Sequence, residues 1–142
     1  MLTITCVVLL GLLAGEELII KYGVQPALAT LPDDAHVRAR IALVKRMKVV
    51  VPALILPAVA ATVAHLATAD NDPLRWVGLA ALVAFLLFSA FGTVPINMQV
   101  DGWDPAAPPP GWRALAERWA RIDLYRSSAA VLAFVLFTVA AL

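Results

Sequence analysis

Apolar residues in this chain fall into four long runs separated by short stretches of charged and turn-forming residues. The first extends from Leu2 to about Tyr22; it is apolar through Ala14, then takes up Gly15, Glu16 and Glu17 before Pro26 ends it. The second opens at Pro32-Asp33-Asp34, a helix-start signal, passes through a basic stretch from Arg38 to Lys48 and becomes apolar from Val49 to Leu66. Pro52 and Pro57 inside it predict a kink, because each removes a backbone donor and crowds the preceding turn. Asp72-Pro73 opens the third run, Leu74 to Ile96, which Pro95 is expected to close. Beyond a Pro- and Gly-rich loop over 101–111, a fourth helix starts near Trp112, amphipathic through Arg126 and apolar from Ser127 to Leu142.

Each apolar stretch is close to the ~20 residues that cross a ~30 Å hydrocarbon core. Leu79 to Phe88 and Val131 to Leu142 are apolar all round, whereas a soluble bundle would show polar outer stripes. The expected fold is all-α, an integral membrane four-helix bundle with spans near 2–24, 47–68, 74–96 and 122–142 and amphipathic helical extensions on its cytoplasmic side. Composition agrees: 62% hydrophobic residues, 15% charged residues and a mean hydropathy of +0.86 separate the chain from ordinary globular domains. A net charge of +1 gives no reason to expect nucleic acid. Cys6 is the single cysteine, which excludes an internal disulfide, and His36 and His65 are too few for a His-rich metal site. No basic residue precedes the first run, so it reads as a membrane helix rather than a cleaved signal peptide.

Charge placement orients the bundle. Of the eleven lysines and arginines, all but Arg75 fall in or beside the connections between helices one and two and between helices three and four. The positive-inside rule then predicts an integral protein of the plasma membrane with both basic segments cytoplasmic and both termini outside. Glu16, Glu17, Asn97, Asp101, Asp123 and Arg126 all fall at that end, contributed by several helices. Charges beside hydrocarbon persist where they are paired, hydrated or functional.

Each candidate has a plainer alternative. Glu17 and Lys21 are spaced i, i+4 and would pair at a helix end. Glu16 points about 100° away from Glu17, so one of the two faces the interior, and Gly15 beside it would allow close helix contact. The basic stretch reads as a headgroup-facing surface, with Arg46 as its inward exception. Trp103, Trp112 and Trp119 suit an interfacial belt, and Asn97 after Pro95 suits a helix cap. Trp119, Asp123 and Arg126, separated by four and three residues, share a helix face and form the constellation of most interest. A carboxylate metal site from Glu16, Glu17 and Asp123 would lack the Glu-x-x-His pairs of di-iron bundles, and no metal is expected.

The segments Tyr22-Gly23-Val24-Gln25-Pro26-Ala27-Leu28, Val94-Pro95-Ile96-Asn97 and Trp112-Arg113 through Arg118-Trp119 to Asp123 and Arg126 give the chain a layout that resembles the anthrone oxygenase-like family of small four-helix membrane proteins. The resemblance implies oxidation of an aromatic polyketide in secondary metabolism. Such chemistry removes a weakly acidic carbon-bound proton, after which the electron-rich anion reacts with O2, so no cofactor is expected. A carboxylate in apolar surroundings suits the base, and Glu16, Glu17 and Asp123 are the candidates. Asn97 or Arg126 suits the developing oxyanion, while Trp103, Trp119, Arg46, Asp101 and Tyr125 are candidate substrate-binding residues. The partners expected are the lipid bilayer and an apolar small molecule, with self-association left open. Two alternatives stand beside this reading: an acid/base isomerase, cyclase or epoxide-opening enzyme, and a non-catalytic bundle or partner subunit held by structural ion pairs. A pocket reached by Asn97, Asp123, Arg126 and one glutamate separates enzyme from scaffold.

Overall fold

Four helices account for almost the whole chain in the computed structural model, which describes residues 1–68 and 70–142. They are α1 (Leu2–Ala29), α2 (Asp33–Thr68), α3 (Pro73–Asp101) and α4 (Trp112–Val139), each long and apolar enough to cross a membrane. Among the described residues there is no β-strand. The protein is an integral membrane four-helix bundle. Its helix starts follow the sequence: Asp33 and Asp34 occupy the first turn of α2, and the Asp72 carboxylate accepts the Leu74 N–H ahead of Pro73 at the start of α3.

Two prolines expected to end helices do not. The first helix continues past Pro26 to Ala29, and the third passes Pro95 and reaches Asp101. Each proline is approached through a widened π turn, Ile20–Val24 in α1 and Ser89–Thr93 in α3. The Gln25 N–H donates to the Ile20 carbonyl and the Val94 N–H to the Ser89 carbonyl, five residues back rather than four. A proline offers no N–H to the carbonyl four residues earlier and crowds it, and the extra residue in the turn absorbs that conflict within the helix. In both helices a glycine stands three residues before the proline, Gly23 and Gly92. A Cβ on Gly92 would lie 2.5 Å from Cγ2 of Ile122, so glycine is what lets α3 approach α4 here. Gly15, by contrast, faces open space and makes no close helix contact; the close approaches in the apolar half are Gly11 and Gly78 against Phe134 and Phe137. Helix α2 runs unbroken through Pro52 and Pro57.

Packing divides the bundle along its length. One half is filled by Cys6, Leu10, Leu13, Ala58, Ala61, Leu82, Phe85, Ala130, Ala133 and Phe137. The other is filled by Ile20, Val37, Ile41, Val44, Ile96, Val100, Trp112 and Trp119. Between the two clusters lies a buried polar layer of Glu17, Ser89, Thr93, Asp123, Arg126 and Ser127. Helix α1 packs on α2 and α4, and α3 packs on α4, while α2 meets α3 along Val94–Asp101. The space left between α2 and α3 next to the polar layer becomes a cavity.

Candidate active site

Arg126 organises the polar layer. Its position on α4 continues the stripe Trp119, Asp123, Arg126, Ala130, Ala133 and Phe137, whose spacings of four and three residues keep one helix face inward. Arg126 is 6% exposed, and Glu17 and Asp123 are fully buried. Arg126 Nη2 donates to Glu17 Oε1 at 2.5 Å, Nη1 to Asp123 Oδ1 at 3.1 Å and Nε to Ser89 Oγ at 2.9 Å. Ser89 Oγ in turn donates to the Phe85 carbonyl, and the guanidinium stands 5.2 Å from the centre of the Phe85 ring. Three of the five guanidinium N–H groups are thus committed, which leaves two without a protein partner among the described residues. Glu17 Oε2 and Asp123 Oδ2 are buried and likewise lack a protein partner. Two carboxylates share one cation in a setting where loss of the arginine would leave both buried without a counter-charge.

A cavity of about 270 Å³ opens against this cluster. Its walls are apolar on the α2 side, with Val44, Met47, Val51, Pro52 and Ile55, and on the α3 side with Val94 and Met98. Polar groups converge on it from Ser89, Thr93, Asn97 and Arg126, and its mouth carries the ion pair of Lys48 and Asp101 at 2.9 Å. Mostly apolar walls with a few convergent polar groups are the usual make-up of a small-molecule site. A narrow extension of about 40 Å³, bounded by Gln25, Arg40, Asn97, Trp119 and Arg126, leads from the same arginine toward the loop end.

The expected site residues do not all meet at the cavity. Asn97, Asp101 and Arg126 line the cavity. Glu17 and Asp123 do not; they stand behind Arg126 and reach the cavity only through it, so the single pocket expected to include Asp123 and a glutamate is corrected on this point. Trp119 is buried beside the narrow extension, and Trp103 packs half-buried on the same apolar cluster. Glu16 is half-buried, with Oε2 enclosed and unpartnered. Two expectations fail outright. Arg46 is exposed, and the inward arginine of the basic stretch is Arg40. Tyr125 is 61% exposed, stacks on Phe88 at 5.8 Å on the outer surface of α3 and α4, and does not line the cavity. The i, i+4 pair of Glu17 and Lys21 is also absent, because Glu17 turns to Arg126 and Lys21 Nζ donates to the Ala120 carbonyl.

Four contributors escaped the sequence reading: Ser89, Thr93, Lys48 as partner of Asp101, and Arg40. Helical phase could have found the last, since Val37, Arg40, Ile41 and Val44 form one i, i+3, i+4, i+7 stripe, and all four are buried.

Fold and site together define a class: a small integral membrane bundle with a buried ion cluster beside an apolar cavity. The chain belongs to the anthrone oxygenase family, whose family model matches residues 41–136, more than half of the sequence. The matched segment contains both cavity walls and Ser89, Asn97, Asp123 and Arg126, and leaves out Glu17. No curated relative and no solved structure matches the chain.

Proposed function

We propose that the protein is a membrane-embedded oxygenase that takes a flat, apolar anthrone of polyketide type into the cavity between α2 and α3 and oxidises its central methylene to a carbonyl. The observation that carries this reading is the position of Arg126: a buried guanidinium, held by two carboxylates and a serine, with two N–H groups free of protein partners among the described residues, on a side chain that lines an apolar cavity. Loss of a methylene proton turns the anthrone into an enolate whose charge sits largely on oxygen. An enolate oxygen at Arg126 and Asn97 would receive fixed hydrogen bonds in a water-poor site, where they count for most. Glu17 and Asp123 hold the guanidinium in place and are positioning residues. Asp101, the carboxylate that lines the cavity, is the group suited to accept the proton.

The reaction balances with O2 as the only oxidant. The enolate carbon bonds to O2 and gives a hydroperoxide after protonation. Loss of the second methylene proton with cleavage of the O–O bond then yields the quinone carbonyl and water. Family membership supports the reaction type, and the apolar walls support a substrate drawn from lipid. The same reading puts the basic end in the cytoplasm and the termini outside, supported by the confinement of all but one of the basic residues to that end. Purified protein in nanodiscs, supplied with a series of hydroxylated anthrones under ¹⁸O2, tests it. Quinone formation above the uncatalysed rate, with one O2 consumed per quinone and label in the new carbonyl, is expected; uptake equal to the uncatalysed background across the series would refute it.

A further inference from the structure

At the loop end, beyond the narrow extension that Gln25 and Arg40 also border, a second cavity of about 230 Å³ is lined by Gln25, His36, Arg40, Trp112, Arg113 and Glu117, with alanines completing its walls. Its central group is Arg40, only 6% exposed. Arg40 Nη2 donates to Gln25 Oε1 at 2.9 Å, and its Nε and Nη2 lie 3.4 and 3.3 Å from His36 Nε2. Both partners are uncharged groups or ring nitrogens. No carboxylate pairs with Arg40 among the described residues, in contrast to Arg126, which has two. Its guanidinium also stands 6.0 Å from the centre of the Trp119 ring, a contact that offsets only part of the cost of a buried cation.

A buried cation without an anion, facing a cavity, calls for an anion in that cavity. We propose that this cavity binds a phosphate oxyanion, with Arg40 as the anchoring cation. Nη1 of Arg40 has no protein partner among the described residues, and a planar guanidinium is matched to the oxygens of phosphate. Arg113 adds a second guanidinium at the rim, where it is paired with exposed Asp33 and lies 5.0 Å from the Trp112 ring centre. His36 packs edge-on against Trp112 with ring centres 5.0 Å apart, so the wall beside Arg40 is fixed by aromatic contact. Glu117, an exposed residue, supplies one carboxylate to the lining. Phosphate of this kind reaches the site as a lipid headgroup or as a soluble phosphate.

The test uses purified full-length protein and no turnover assay, so it stands or falls separately from the oxygenase reading. Thermal unfolding in a phosphate-free, uncharged detergent is followed with inorganic phosphate, with phosphatidylglycerol, with phosphatidylethanolamine, and with a phosphate-free glycolipid of matched chain length. Stabilisation by a phospholipid but not by the glycolipid or inorganic phosphate assigns the headgroup, and stabilisation by inorganic phosphate assigns the soluble ligand. In either case Arg40→Gln is expected to weaken binding at least tenfold, and Arg113→Gln by less. If Arg40→Gln does not fold, native mass spectrometry of the unaltered protein decides: phosphate or phospholipid that survives delipidation supports the site. No phosphate-dependent stabilisation or retention in the unaltered protein would overturn it, as would unchanged binding in a folded Arg40→Gln variant.

Discussion

The two halves of the bundle solve the same packing problem differently. Between Cys6 and Leu13 on α1 and between Ala130 and Phe137 on α4, interlocking apolar side chains and small residues fill the interior. From the layer of Glu17, Ser89, Asp123 and Arg126 onward the helices carry π turns, α2 and α3 leave a cavity between them, and Arg40 and Arg126 are buried. Charge separates these halves, since the basic stretch of α2 and the amphipathic start of α4 both lie beyond the layer. The backbone differs too. Widened turns are favoured at functional positions, and here both sit at the level where dense packing gives way to cavities.

The largest effect should come from Arg126. Arg126→Met leaves Glu17 and Asp123 buried without their cation, and we expect a loss of about 3–5 kcal/mol in stability together with loss of turnover, read by detergent unfolding and quinone formation. Adding Glu17→Gln and Asp123→Asn should restore most of the stability and none of the turnover. Recovery of turnover in that triple variant would mean that the cluster is structural only.

In the apolar half, Phe137→Ala should cost a similar ~3–5 kcal/mol through the void it leaves, but turnover per folded molecule should be unchanged. A selective loss of activity there would dissolve the distinction between the halves. Gly92→Ala probes the boundary: its new methyl would collide with Ile122, a stiff β-branched side chain, and about 1–3 kcal/mol of destabilisation is expected from unfolding curves.

Smaller effects should follow at the cavity itself. Asn97→Leu keeps the side chain's approximate volume and removes a hydrogen bond to the enolate, so turnover should fall on the order of 10²-fold with normal folding. Lys48→Ala at the mouth breaks an exposed ion pair and should change stability by at most about 1 kcal/mol. Tyr125→Leu, on the outer surface, should alter neither quantity measurably.

Much of this architecture is legible in the residues. Asp33-Asp34, Asp72-Pro73 and Trp112 mark helix starts, and the face of Trp119, Asp123 and Arg126 points to the polar layer. Helix ends were harder to see, because the rule that proline stops a helix has an exception in which a π turn precedes it, as at Pro26 and Pro95. The inward member of a charged stretch is a matter of helical phase. Leu10, Leu13, Ala14 and Glu17 share one stripe just as Val37, Arg40 and Val44 do, whereas Arg46 lies off that stripe and is exposed. Which carboxylate touches the cavity could not be read from spacing, since Asp123 is screened from it by its own partner three residues on.

The central claim is that an anthrone binds between α2 and α3 with its oxygen on Arg126, and the most direct test is a structure of the protein with the stable quinone product bound. The account predicts the ring system between Pro52 and Ile55 on one side and Thr93 and Asn97 on the other, with a quinone oxygen within hydrogen-bonding distance of the Arg126 guanidinium. A quinone seated instead in the groove of α1 and α4 lined by Tyr22, Ser128 and Leu132, with no contact to Arg126, would contradict it.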